Sequence, residues 1–265
     1  MQNNLKLNAR LEMIAKRIPN CRILADVGTD HAYIPIYAVK NGRCSKSLAA
    51  DLREGPLGMA SANIKRYGLE KFIETRLGNG LEPITLDECD VVVIAGMGGS
   101  LIRDILSSSV RKAQDARLLL LQPNNAADVL RKWLCENGFN IGEETLVIDA
   151  GKLYSLINTK WTGLAVAGDE FDYYIGNVLF DSDDPLLHKY VEKKVKELEV
   201  VISGRTRSRK EKSRPAVGGE NEIAGRLSIL AGMNTEKCID IRNRLKMFLE
   251  TTHGQKPEKH EKRRE

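Results

Sequence analysis

Apolar positions recur at helical spacing in residues 5–17, where Leu7, Leu11, Ile14 and Ile18 fall at intervals of four, three and four. That period predicts an amphipathic helix, ended by Pro19, which has no N–H to continue the ladder. Strand candidates follow at 23–27, 47–51, 73–77, 91–95 and 117–122, and helical texture separates most of them. One such helix, near 56–67, opens with Pro56 and closes at Gly68, the usual punctuation of helix ends. Val91 to Ala95 and Leu118 to Leu121 are unbroken apolar stretches, as expected of strands covered on both faces. This alternation predicts an α/β fold built on a parallel sheet.

From residue 143 the rhythm changes. Two strands, 145–148 and 153–160, flank Asp149-Ala150-Gly151-Lys152, so the sheet is expected to finish with an antiparallel hairpin. After Asp169 the texture becomes helical. Leu187, Val191, Val195, Leu198 and Ile202 form one seam; Leu227, Leu230, Cys238, Ile241, Leu245 and Phe248 form a second, with a gap at Asn234. The polar stretch 203–222 between them predicts an antiparallel, coiled-coil-like helical hairpin with a basic tip. The expected division is a Rossmann-like domain over 1–168, the hairpin over 169–250 and a disordered polar tail over 251–265.

The composition is that of an ordinary globular chain: 42% hydrophobic, 29% charged and 5% aromatic over 265 residues. The five cysteines are widely spaced and include no C-x-x-C pair, which reads as buried thiols in a reducing cytoplasm. No apolar run approaches a membrane span, and the histidines and cysteines form no metal-ligand pattern. Net charge is a modest +5, but it is unevenly placed. Residues 203–214 hold six basic side chains, Arg205, Arg207, Arg209 and Lys210 among them, against one acid. The first 22 residues hold Lys6, Arg10, Lys16, Arg17 and Arg22 against Glu12 alone. Two basic patches on a balanced chain suggest a polyanionic partner, although 203–214 reads equally well as a solvated loop.

The chemistry-bearing residues cluster where the strands end. Asp26-Val27-Gly28-Thr29-Asp30-His31 follows the first strand, and Asp51-Leu52 closes the second. A glycine that admits a ligand to the backbone, with an acid about twenty residues further on for ribose hydroxyls, is how open α/β sheets hold nucleotides. The dinucleotide fingerprint is absent, because Asp30 and Tyr33 stand where glycines would be needed. An aspartate at the mouth of the loop repels a pyrophosphate but suits a cationic sulfonium. S-adenosylmethionine is therefore the expected cofactor, and a dehydrogenase is disfavoured. Gly78-Asn79-Gly80 follows the third strand and can present an amide to an adenine edge, or be an ordinary turn. Ala95-Gly96-Met97-Gly98-Gly99 ends the fourth strand with three glycines, more than tight packing alone would ask for. Gln122-Pro123-Asn124 ends the fifth; its amides can read a base edge, and Asn124 can equally cap the next helix.

These motifs together resemble the bacterial tRNA adenine-N1 methyltransferases of the TrmK type, which modify adenine at tRNA position 22. The resemblance runs from Lys6-Leu7-Asn8-Ala9-Arg10-Leu11, through Ala25-Asp26-Val27-Gly28-Thr29-Asp30-His31-Ala32-Tyr33, to Ala95-Gly96-Met97-Gly98-Gly99 and Gln122-Pro123-Asn124. It implies a class I S-adenosylmethionine-binding domain with a helical appendage, acting on tRNA; a monomer is the expected state, which the sequence itself does not fix. Asp51 stands where the family is expected to carry Glu, a conservative difference for ribose binding. On this reading Asp26, Gly28, Thr29, His31, Asp51, Leu52, Gly78, Asn79, Gly80, Ala95, Gly96 and Met97 hold the cofactor. Asp30 stabilises the charge that develops on the base, and Gln122 and Asn124 orient it. Lys6, Arg10, Lys16, Arg17, Gly98, Gly99, Arg205, Arg207, Arg209 and Lys210 contact the tRNA. A small-molecule methyltransferase and a non-catalytic RNA-binding protein of the same fold are the alternatives. The basic patches weigh against the first, and the paired acids against the second.

Overall fold

The computed structural model describes residues 5–211 and 228–252. Its strands are β1 (Cys21–Val27), β2 (Cys44–Asp51), β3 (Ile73–Leu77), β4 (Val91–Met97), β5 (Leu118–Pro123), β6 (Phe139–Asp149) and β7 (Lys152–Trp161). They form one sheet of order β3-β2-β1-β4-β5-β7-β6. β1 to β5 pair in parallel, and β7 runs antiparallel to both β5 and β6. The expected closing hairpin is present, with β6 beginning earlier than its sequence suggested. Gly142 interrupts the alternation there, and the register of β6 against β7 shifts between Ile141 and Glu143.

Helices α1 (Ala9–Arg17), α2 (Tyr33–Lys40) and α3 (Glu54–Arg66) precede β4 in the chain. Next come α4 (Gly99–Ser108), α5 (Val110–Asp115) and α6 (Ala127–Glu136). Alternate strand residues serve opposite faces. Leu24, Val91, Val93 and Leu120 pack with Met13, Ile14, Ile34 and Ala38 of α1 and α2. Ala25, Val92, Ile94, Leu119 and Leu121 pack with Ile102, Leu106, Ala113, Leu130 and Leu134 of α4 to α6. The sheet is thus sandwiched, and only its strand ends are open to a ligand.

The remaining helices are α7 (Glu170–Ile175), α8 (Asn177–Phe180), α9 (Leu187–Glu211), α10 (Ser228–Gly232) and α11 (Thr235–Thr252). The second seam is two helices. Asn234 breaks it and caps α11 by accepting from Lys237 N at 2.8 Å. α9 and α11 run antiparallel, because Glu199 pairs with Lys246 at 2.6 Å while Arg205, further along α9, reaches Met233 O at 2.8 Å. Their common core includes Leu146 of β6. A buried ion pair ties this layer to the sheet. Arg131 Nη2 of α6 lies 2.8 Å from Glu144 Oε2 of β6 and also donates to Tyr190 Oη of α9 at 3.2 Å. Residues 203–211 of the predicted basic tip continue α9 as helix; the rest of the tip, Leu227 of the second seam and the tail from 253 lie outside the described residues.

Candidate active site

The strand order reverses between β1 and β4, and a cleft at such a switch point is where open α/β sheets bind ligands. β1 ends in Asp26 and Val27, and the chain turns at Gly28 with φ +79°. Gly28 N and Thr29 N both donate to Ala50 O of β2, at 2.8 and 3.0 Å, which fixes the loop against the neighbouring strand. Thr29 Oγ1 then accepts from Ala32 N at 3.1 Å, starting α2 without a side chain at its cap. A Cβ on Gly28 would collide with the Met97 side chain, so Gly28 and Met97 close one wall of the cleft together.

Asp26 and Asp51 are both buried here. Burial pushes the Asp26 carboxyl up to about 6; the hydrogen bond from Thr29 and the charge of Arg10 pull it down, and Asp51 pushes it further up. Asp51 Oδ1 accepts from Arg53 N at 2.8 Å, and Asp51 O accepts from Gly78 N at 3.0 Å, which brings the Gly78-Asn79-Gly80 turn beside it. The glycines of that turn have packing reasons of their own, since added methyls would crowd Pro83 at Gly78 and Ile105 at Gly80. Asn79 is exposed, and Leu52, next to Asp51, is 63% exposed. An apolar side chain left in water beside a buried carboxylate suits a ligand with a flat ring and a hydroxylated sugar. His31 Nε2 lies 3.3 Å from Asp30 Oδ2, its ring stacked on Tyr33 with centroids 5.1 Å apart.

Across the cleft, the ends of β4 and β5 build a polar rim. The sheet register shifts between Ala95 and Met97, where Gly96 turns with φ +80°. Gln122 is fully buried: Arg10 Nη1 donates to its Oε1 at 2.7 Å, and its Nε2 donates to Pro123 O at 3.0 Å and Asn124 Oδ1 at 3.2 Å. Asn124 is exposed, and its Nδ2 donates to Gly96 O at 2.6 Å. It does not cap α6; Ala126, at φ +49°, takes that position with no side-chain hydrogen bond. Gly99 N donates to Asn125 O at 2.9 Å, and a Cβ on Gly99 would run into the Ala126 carbonyl. Packing therefore explains Gly99 directly, and Gly98 lies against Asn125 Oδ1 in the same way.

Several basic residues face elsewhere than their sequence suggested. Arg10 does not sit on an outer basic face of α1; it turns into the cleft, its Cζ 5.8 Å from the Tyr154 ring. Arg17 binds Glu143 at 3.1 Å and Thr145 at 3.0 Å, and Lys16 pairs with Glu12 at 2.8 Å. Arg205 points inward, donating to Met233 O, to Cys238 Sγ at 3.3 Å and to Leu230 O, so it staples α9 to α10 and α11. Lys6 and Arg207 are exposed; the side chains of Arg209 and Lys210 lie outside the described residues. One signal pointed to Arg10: it falls three residues after Leu7 and four before Ile14, on the apolar face of α1. Tyr154 and Asn125 carried no such signal.

Among the described residues, no group of His, Cys, Asp and Glu suits a metal ion, and no helix is long and apolar enough to cross a membrane. The strand order, the single reversed strand and the carboxylates at the ends of β1 and β2 define a class I methyltransferase. Residues 7–157 match the family described as a methyltransferase domain. The tRNA (adenine(22)-N(1))-methyltransferase of Bacillus subtilis (strain 168) is 39% identical over 174 residues, 66% of this chain and 71% of that protein. The chain belongs to this family of bacterial tRNA methyltransferases. Streptococcus pneumoniae Sp1610 in complex with S-adenosyl-L-methionine superposes with a TM-score of 0.73 at 30% identity, over 91% of this chain and 98% of that one. M. capricolum TrmK with S-adenosyl-homocysteine gives 0.70 at 26% identity, over 92% and 98%.

Proposed function

We propose that this chain transfers a methyl group from S-adenosylmethionine to N1 of adenine 22 in tRNA, in the cytoplasm. The observation that carries the reading is the pair of buried acids at the ends of β1 and β2 with an amide rim at the ends of β4 and β5, in a chain 39% identical to an enzyme of that name. Asp51 would take the ribose hydroxyls, with Leu52 and Asn79 against the adenine ring of the cofactor. Asp26 and the Gly28–Thr29 turn would face its charged amino-acid end, where two acids favour cations and disfavour phosphates. S-adenosylmethionine supplies an electrophilic methyl carbon on a positively charged sulfur.

The protein's part is alignment and charge stabilisation. N1 of adenine carries no proton, so no general base is needed. The base becomes cationic as the bond forms, and Asp30, exposed at the mouth, would stabilise that charge. Asn124 would hold the pairing edge of the base in line with the methyl group; Gln122, fully buried and bonded at both ends of its amide, does not reach the base as its sequence suggested and instead holds Asn124 from behind. A target stacked or paired in folded tRNA must be extruded, at about a few kcal/mol. Lys6 and Arg207, both exposed, would hold phosphates, with Arg209 and Lys210 beyond the described side chains.

The test is methylation of unmodified bacterial tRNA with labelled S-adenosylmethionine, mapped by mass spectrometry. One N1-methyladenosine, at position 22, is the expected product. Methyl transfer only to small acceptors, or none with cofactor binding intact, would overturn the tRNA reading.

A further inference from the structure

Three donor–acceptor links join α1 to the rim, and the groups at their two ends fix their polarity. Arg10 has N–H groups only, so the atom of Gln122 that meets it at 2.7 Å is the carbonyl oxygen. The Gln122 amide nitrogen is thereby turned toward Pro123 O and Asn124 Oδ1. Asn124 must then show its oxygen to Gln122 and its nitrogen to Gly96 O at 2.6 Å. Gly96 O accepts only, so both ends of the chain agree, and neither amide can flip without two like atoms facing each other. Gln122 is fully buried and cannot repair a flip with water. Asn124 is exposed, and its Oδ1 keeps one lone pair beyond the bond from Gln122.

We infer that Arg10 is a positioning residue that makes Asn124 present an acceptor, and so selects a target base with an exocyclic amino group beside the reacting nitrogen. The inference rests on the tRNA reading above and adds how adenine is told from other purines. Adenine offers N6–H to Asn124 Oδ1 and leaves the N1 lone pair free. Hypoxanthine and guanine offer a carbonyl there, facing the Asn124 oxygen, and their N1 carries a proton. As methyl transfer proceeds, positive charge spreads from N1 over C6 to the amino group. The N6–H bond to Asn124 strengthens with it, so the contact favours the transition state over the ground state.

The experiment compares tRNA transcripts carrying adenine or unsubstituted purine at position 22, under single-turnover conditions, for wild type, Arg10→Ala, Arg10→Lys and Gln122→Glu. Purine keeps the nucleophilic nitrogen and lacks only the amino group. Wild type is expected to prefer adenine by at least about tenfold in rate. Arg10→Lys keeps a donor and should keep that preference at a reduced rate. Arg10→Ala leaves Gln122 Oε1 buried without its donor and loosens the hold of Gln122 on Asn124, and the preference should fall to within about twofold. Gln122→Glu still accepts from Arg10 but offers Asn124 no N–H, so its preference should also collapse. It decides the matter if Arg10→Ala proves unfolded by thermal melting. A general loss of rate in Arg10→Ala with the wild-type preference intact overturns the inference and leaves the tRNA reading standing. So does a wild type that methylates both transcripts alike. A wild type that methylates neither removes both.

Discussion

Between pH 4 and 6, Asp26 is protonated in the folded chain and ionised in the unfolded one, because burial raises its pKa from 3.8 to about 6. The unfolded state then binds fewer protons, so this group's contribution to stability falls as pH rises through the window and stays low above it. The full deficit is about 3 kcal/mol. Asp26→Asn is accordingly expected to be more stable than wild type at pH 8 and little different at pH 3.5, read from urea melts at both. Calorimetry should show its cofactor binding weakened at least about tenfold, the mark of a residue kept for function at a cost to the fold. A gain of equal size at both pH values would trace the effect to something other than ionisation. Asp26, Gly28 and Asp51 were legible in the sequence because strand ends are marked by where apolar runs stop. Arg205 was not, because a count of charges says nothing about which way a long side chain turns. Arg205→Ala should therefore lower the melting temperature and leave the salt dependence of tRNA binding unchanged. Arg207→Ala should reduce that dependence by about one counterion with the melt unaffected.

At the scale of elements, the loops that build the rim depend on backbones lying against each other. Gly99 begins α4 directly against the carbonyl that precedes α6, with no room for a methyl group. Gly99→Ala should push the two helix starts apart and lower the single-turnover rate by about tenfold or more, the order expected when reacting groups shift by a fraction of an ångström. Circular dichroism should show the helices intact, and an unchanged rate would mean that the rim tolerates the shift. Strands β4 and β5 were readable from apolar runs alone, since burial on both faces leaves little polar residue to confuse the period, whereas β3, an edge strand of sequence Ile-Glu-Thr-Arg-Leu, showed only alternation. The break before α11 showed only as a gap, because an asparagine in a seam is ambiguous until its side chain is seen to cap. The start of α2 carried no cap signal, and the one at α6, Asn124, misled, because its amide bonds Gly96 O instead. Ala32 and Ala126 adopt left-handed backbone there, imposed by the strand turns before them.

Across the whole molecule, the Arg131–Glu144 pair joins sheet and helices where neither charge meets solvent. Arg131 also donates to Tyr173 O at 3.1 Å, so it gathers α6, α7, α9 and β6 around one guanidinium. Arg131→Met leaves Glu144 buried without its partner and should cost about 3–5 kcal/mol in urea melts. Arg131→Met with Glu144→Leu should recover most of that loss, and failure to recover would place the cost in the Tyr173 and Tyr190 contacts. That two helical seams follow the sheet was visible in the sequence; that they are bolted to it through an arginine was not, since buried charges look like surface ones in a string. The order of the last two strands bears on how the chain is made. β6 precedes β7 in the sequence, yet β7 lies between it and β5. A ribosome delivers the outer strand first, before its partner β7 exists, and with Leu146 exposed for helices that are later still. The sheet can therefore close only in retrospect. Until Trp161 has emerged, β5 has one open edge, and a pause in translation within this stretch would leave β6 unpaired beside it.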